Sequence, residues 1–109
     1  MMNENENEFG LNNNEREMIR VVLTGYPFVL RAVIFGSRAK GTHTSRSDID
    51  MALFGNVLPM QAEEITMEME ELPMPYRFDI QAYNAIKNVL LREHIDRIGK
   101  TVYEKTKYK

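Results

Sequence analysis

Residues 28–54 read FVLRAVIFGSRAKGTHTSRSDIDMALF, and this stretch decides the fold. Its opening, Phe28–Phe35, is apolar except for Arg31 and rich in Val, Ile and Phe, the composition of a mostly buried strand. Its close, Asp48–Phe54, alternates. Ile49, Met51 and Leu53 share one face, and Asp48, Asp50 and Ala52 share the other, because successive side chains of a strand point to opposite sides. The connecting GSRAKGTHTSRS is rich in Gly, Ser and Thr and reads as a loop. Gly55-Asn56 ends the second strand.

Working outward, Asn12–Asn14 offers N-caps, and Glu15 and Glu17 suit a helix first turn. Met18, Val21, Val22 and the preceding Leu11 form that helix's apolar stripe, and Gly25 and Pro27 stop it. Downstream, Pro59 opens a helix in which Ala62, Ile65, Met69 and Leu72 recur at helical spacing with glutamates outside. Pro73 and Pro75 close it. Arg77–Tyr83 alternates again, with Phe78, Ile80 and Ala82 facing one way and Arg77, Asp79 and Gln81 the other. Asn84 is placed to cap a last helix carrying Leu91, Ile95 and Ile98, ended near Gly99. The order helix, strand, loop, strand, helix, strand, helix predicts a single α+β (mixed α/β) domain with a small mixed sheet flanked by helices. Residues 1–11 read as a polar, flexible leader and residues 12–109 as the domain.

Composition bounds the function. The 109 residues suit one small domain, and 43% hydrophobic with 28% charged is ordinary for a globular chain. No apolar run approaches the roughly 18 residues of a membrane span. The acidic, Asn-rich stretch Met1–Gly10 is unlike a secretory signal. With no cysteine there are no disulfides or thiolate metal sites, which fits a reducing cytoplasm. A net charge of −2 argues against direct nucleic-acid binding. The charges are uneven: Glu63, Glu64, Glu68, Glu70 and Glu71 form an acidic block, whereas Arg38, Lys40 and Arg46 share a stretch free of acids. Lysines 100, 105, 107 and 109 read as a solvated tail.

The chemistry gathers around the same central stretch. Of only four aspartates, Asp48, Asp50 and Asp79 fall on the polar faces of two expected strands. Two carboxylates held that close repel unless a cation lies between them, and Mg²⁺ with its preference for oxygen suits the place. An isolated D-x-D would be read first as a polar sheet face open to water. The spacing to Gly36-Ser37 adds a second half. Glycine there lets the backbone approach a bulky anion, and the Ser37 hydroxyl with neighbouring amides can hold phosphate oxygens. Arg38, Lys40 and Arg46 add positive charge. Phosphate donors facing metal-binding carboxylates are what a nucleoside triphosphate needs.

Gly36-Ser37, ten further residues, then Asp48-Ile49-Asp50 matches the G-S-x10-D-x-D signature of the DNA polymerase β-like nucleotidyltransferase superfamily. The wider FGSRAKGTHTSRSDIDMALF resembles the small bacterial minimal nucleotidyltransferase (MNT) proteins, and the resemblance extends over residues 15–105. It implies that Asp48 and Asp50 bind catalytic metal, that Asp79 is the third carboxylate and takes the acceptor's proton, and that Gly36, Ser37 and Arg38 hold the nucleotide. It further implies Mg²⁺ as cofactor, ATP as substrate and a helical HEPN-type protein as partner. In such toxin–antitoxin modules the MNT protein is the antitoxin, and it transfers AMP to a tyrosine of the toxin. The competing reading is a binding module that neutralises its partner by contact, with a weak or vestigial nucleotide site. An aminoglycoside-modifying enzyme would need a helical substrate domain for which this chain has no room. A template-directed polymerase would need further domains and a basic channel.

The remaining polar residues carry weaker expectations. His43 is expected exposed in the loop, and His94 is expected at the surface or an interface of the last helix. Arg77 and Gln81 share Asp79's face and could equally meet nucleotide, partner or solvent. Tyr83 is expected as a packed aromatic. The methionines near the acidic helix, Met67, Met69 and Met74, are core fillers or interface residues.

Overall fold

The computed structural model describes residues 8–105. Four strands, β1 (Val29–Phe35), β2 (Ile49–Gly55), β3 (Phe78–Ala82) and β4 (Lys100–Glu104), form one mixed sheet in the order β3-β2-β1-β4. β1 runs antiparallel to both β2 and β4, and β3 lies parallel to β2. Helices α1 (Asn13–Thr24) and α3 (Pro59–Glu70) cover one face, and α4 (Val89–Ile98) covers part of the other. A single turn of helix, α2 (Ser37–Lys40), follows β1.

Local chemistry accounts for the helix ends. Asn12 accepts from the Glu15 amide at 2.7 Å while Glu15 accepts from the Asn12 amide at 3.0 Å, a reciprocal capping box. Pro59 occupies the first turn of α3, where a missing N–H costs nothing. Asn88, rather than the expected Asn84, caps α4 by accepting from the Leu91 amide; the Asn84 side chain instead donates to the Gly55 carbonyl. Helix α1 buries Ile19, Val22 and Leu23 but leaves Val21 exposed, so the expected stripe is rotated by one position.

The main core lies between the α1/α3 layer and the sheet face carrying Ala32, Ile34, Ile49, Met51, Leu53, Phe78 and Ile80. A smaller core of Val33, Phe35, Ala52, Ile86 and Ile95 lies under α4. β1 is therefore covered on both sides along Ala32–Phe35, which is why its sequence runs apolar without alternation. Asp50 and Asp79 alternate with the core-facing Ile49, Met51, Phe78 and Ile80 and so share the α4 side of the sheet.

Two expectations are corrected here. Residues 8–11, expected within a polar, flexible leader, belong to the folded domain. Phe9 and Leu11 are buried in the main core, and the buried Arg16 guanidinium donates to the Glu8 and Leu11 carbonyls. Residues 1–7 lie outside the described ones. Of the lysines expected in a solvated tail, Lys100 opens edge strand β4 and Lys105 donates to the Pro27 carbonyl at 2.8 Å, while Lys107 and Lys109 lie outside the described residues. A bulge between Ala32 and Val33 of β1 lets the consecutive Val102 and Tyr103 both be buried.

Candidate active site

The sheet register assembles the site. Asp50 stands second in β2 and is paired with Asp79, second in β3. On its other side Asp50 is paired with Phe35, the last residue of β1, so Gly36 emerges beside it. Asp48 lies just before β2. One end of the sheet thus brings together the three aspartates and the Gly36-Ser37 turn.

Gly36 adopts φ +76°, and a Cβ built there would lie 2.5 Å from Asp50 Oδ2. Only glycine meets both the backbone conformation and the close approach. Asp50 is half-buried, and its carboxyl is pushed up to about 6, chiefly by burial and then by the charges of Asp79 and Asp48, with Arg38 opposing. An acid at this position is short of positive charge, and its surroundings are carboxylate oxygens. That donor set fits a hard divalent cation such as Mg²⁺. Among the described residues, no three His, Asp or Glu side chains stand close enough together, as placed, to hold a metal ion. Asp48 and Asp79 are exposed, so packing does not lock their rotamers away from Asp50.

Arg38, expected beside the phosphates, points inward and is 2% exposed. Its Nε and Nη2 donate to the Ser47 carbonyl at 3.1 and 2.9 Å, and its Nη1 donates to the Phe9 carbonyl at 2.7 Å. The guanidinium also lies 4.6 Å from the centre of the Tyr76 ring. Arg38 therefore ties both ends of the loop to the N-terminal segment and reaches Asp50 only through its field. Lys40 and Arg46 are exposed, and Ser37 is half-buried at the start of α2. His43, expected in solvent, is half-buried: its ring fills the space beside Gly10, and its Nδ1 is buried without a hydrogen-bond partner among the described residues.

His94 was missed as a site residue. Its Nε2 accepts from the Gly36 amide at 3.2 Å, and its ring meets Phe35 edge-on at 6.0 Å. Nothing in the local sequence signals this, because the contact joins residues 58 positions apart and depends on where α4 crosses β1. Tyr83 is a packed aromatic as expected, stacked on Phe54 at 4.3 Å and donating to Asp96 at 2.7 Å. Arg77 is exposed. Gln81 lines a groove of about 190 Å³ with Pro59, Ala62, Ile80 and Ile86, and none of the three aspartates borders that groove.

A mixed sheet whose strand ends carry a glycine-serine turn beside paired carboxylates defines a nucleotidyltransferase-type domain. The family model for polymerase β nucleotidyltransferases matches residues 17–108, and the chain belongs to that family. Solved structures agree on the fold. A toxin–antitoxin complex with AMP-PNP superposes with TM-score 0.67 at 22% identity, covering 84% of this chain and 73% of that one. An MNT antitoxin complex with a tri-AMPylated HEPN toxin of Shewanella oneidensis gives TM-score 0.60 at 18% identity, covering 86% and 72%. A MntA–HepT toxin–antitoxin complex gives 0.59 at 18%, covering 86% and 73%. Curated proteins provide no significant match. Among the described residues, no helix is long and apolar enough to cross a membrane.

Proposed function

We propose that this chain is the antitoxin of a toxin–antitoxin pair and transfers AMP from ATP to a tyrosine hydroxyl of a HEPN-type partner in the cytoplasm. The observation that carries the reading is the register of Asp50 opposite Asp79, with Gly36 packed on Asp50, in a chain of the polymerase β nucleotidyltransferase family. The structural neighbours support it, since one holds AMP-PNP and another an AMPylated HEPN toxin.

In this reading Asp48, Asp50 and Asp79 hold Mg²⁺, and the Gly36-Ser37 turn holds the triphosphate. Bound Mg²⁺ supplies charge neutralisation at the phosphate under attack. The turn orients the α-phosphorus for in-line displacement. The acceptor oxygen bonds to that phosphorus, its bond to the bridging oxygen breaks, and pyrophosphate leaves. Asp79, exposed at the mouth of the site, takes the hydroxyl proton. Arg38 acts on the nucleotide only through the loop it anchors.

The test is intact-mass analysis of a HEPN-type partner incubated with this protein and Mg²⁺-ATP. The expected outcome is addition of AMP units to the partner, lost with the Asp48→Asn/Asp50→Asn double variant. A partner neutralised equally by both proteins, with no added mass, would replace this reading with neutralisation by contact.

A further inference from the structure

We propose that His94 is a positioning residue for the triphosphate-binding turn, a role that rests on the nucleotidyltransferase reading above. The turn must satisfy two constraints at one residue. Gly36 leaves β1 with φ +76°, and its Cα presses on Asp50 so closely that a Cβ would lie 2.5 Å from Oδ2. Where Gly36 sits therefore sets how closely the turn that would hold the triphosphate approaches the Asp50 carboxylate. The Gly36 amide lies beyond the last ladder pair of β1, Phe35 with Asp50, and His94 Nε2 accepts its N–H at 3.2 Å. This is a tether from α4 to the turn.

The imidazole is itself held. Its ring packs edge-on against Phe35, which precedes Gly36, and the neighbouring Ile95 is buried in the small core under α4. To accept at Nε2 the ring must be neutral with its proton on Nδ1. A side chain that locks one backbone amide of a phosphate-binding turn, from an element packed independently of that turn, preorganises the site before nucleotide arrives. The contact assigned to His94 is with the backbone amide of the turn, so it positions rather than catalyses.

Two substitutions separate the tether from packing. His94→Phe keeps a ring against Phe35 and loses the acceptor. His94→Gln loses the ring and can present a carbonyl oxygen at similar reach. Amide hydrogen exchange on the ligand-free protein reads the tether without any activity. The Gly36 amide is expected to exchange about tenfold faster in His94→Phe, with protection largely restored in His94→Gln. In AMP transfer, kcat is expected to fall roughly ten- to a hundredfold in His94→Phe, with KM for ATP changed less than about threefold, and to recover most of that loss in His94→Gln. Equal Gly36 exchange in all three proteins would overturn the tether. Unequal exchange with an unchanged kcat would overturn the positioning role. A wild-type protein that transfers no AMP, yet shows the expected exchange pattern, would overturn the nucleotidyltransferase reading and with it the positioning role, leaving the hydrogen bond alone.

Discussion

Gly36→Ala is expected to lower AMP transfer by more than about a hundredfold while leaving the protein folded. The new methyl would sit 2.5 Å from Asp50 Oδ2, well inside contact distance, at φ +76° and ψ −152°, a backbone region essentially reserved for glycine that costs another residue roughly 1–3 kcal/mol. Relief requires either the turn or the Asp50 carboxylate to move, and a displacement of about 1 Å between reacting groups is enough for a hundredfold loss. A domain of this size tolerates a destabilisation of roughly 1–3 kcal/mol and stays folded. Single-turnover transfer with a melting curve alongside checks both halves. Transfer near the wild-type rate would mean that the close approach of Gly36 to Asp50 does not matter for chemistry.

Asp50→Asn is expected to abolish transfer, by on the order of a thousandfold, and at the same time to stabilise the protein. The sign follows from the proton linkage. The Asp50 carboxyl lies at about 6 when folded, against 3.8 as its ordinary value. Between about pH 4 and 6 the folded state therefore binds more protons than the unfolded one, and stability falls as pH rises through that window. Above it the penalty is fully present. Because the group is only half-buried, solvent reduces the penalty to on the order of 1 kcal/mol. Removing the charge should raise the melting temperature at pH 7.5 by a few degrees and leave it nearly unchanged at pH 4. The same linkage makes metal binding weaken as pH falls through about 6, where Asp50 takes up a proton. An Asp50→Asn variant less stable than wild type at pH 7.5 would show that the ionised carboxylate makes compensating contacts.

The parts of the fold legible in the sequence are those with strong local periodicity. Ile49, Met51 and Leu53 alternate cleanly with Asp48, Asp50 and Ala52 because one face of β2 meets the main core. Ala62, Ile65 and Met69 mark the inner face of α3 for the same reason. Strand β4 was not legible: its two buried residues are adjacent, an arrangement created by a bulge in its pairing with β1 rather than by alternation. Phe9 and Leu11 were hidden among polar neighbours, and their burial depends on a cover formed only in three dimensions. Of the site, the carboxylates and the glycine-serine turn were visible through spacing. Arg38 was visible as a charge, but not the inward direction that commits it to the Phe9 and Ser47 carbonyls. His94 was invisible as a site residue, since its partner lies on another element.

In the proposed function the aspartates and the Gly36-Ser37 turn form one metal-dependent triphosphate site. Calorimetric titration of ATP into the wild type and the Asp48→Asn/Asp50→Asn variant, each with and without Mg²⁺, tests it most directly. Binding by the wild type that requires Mg²⁺ and disappears in the variant is the predicted result. Binding that is indifferent to Mg²⁺ or survives in the variant would contradict the claim, placing the nucleotide away from these carboxylates.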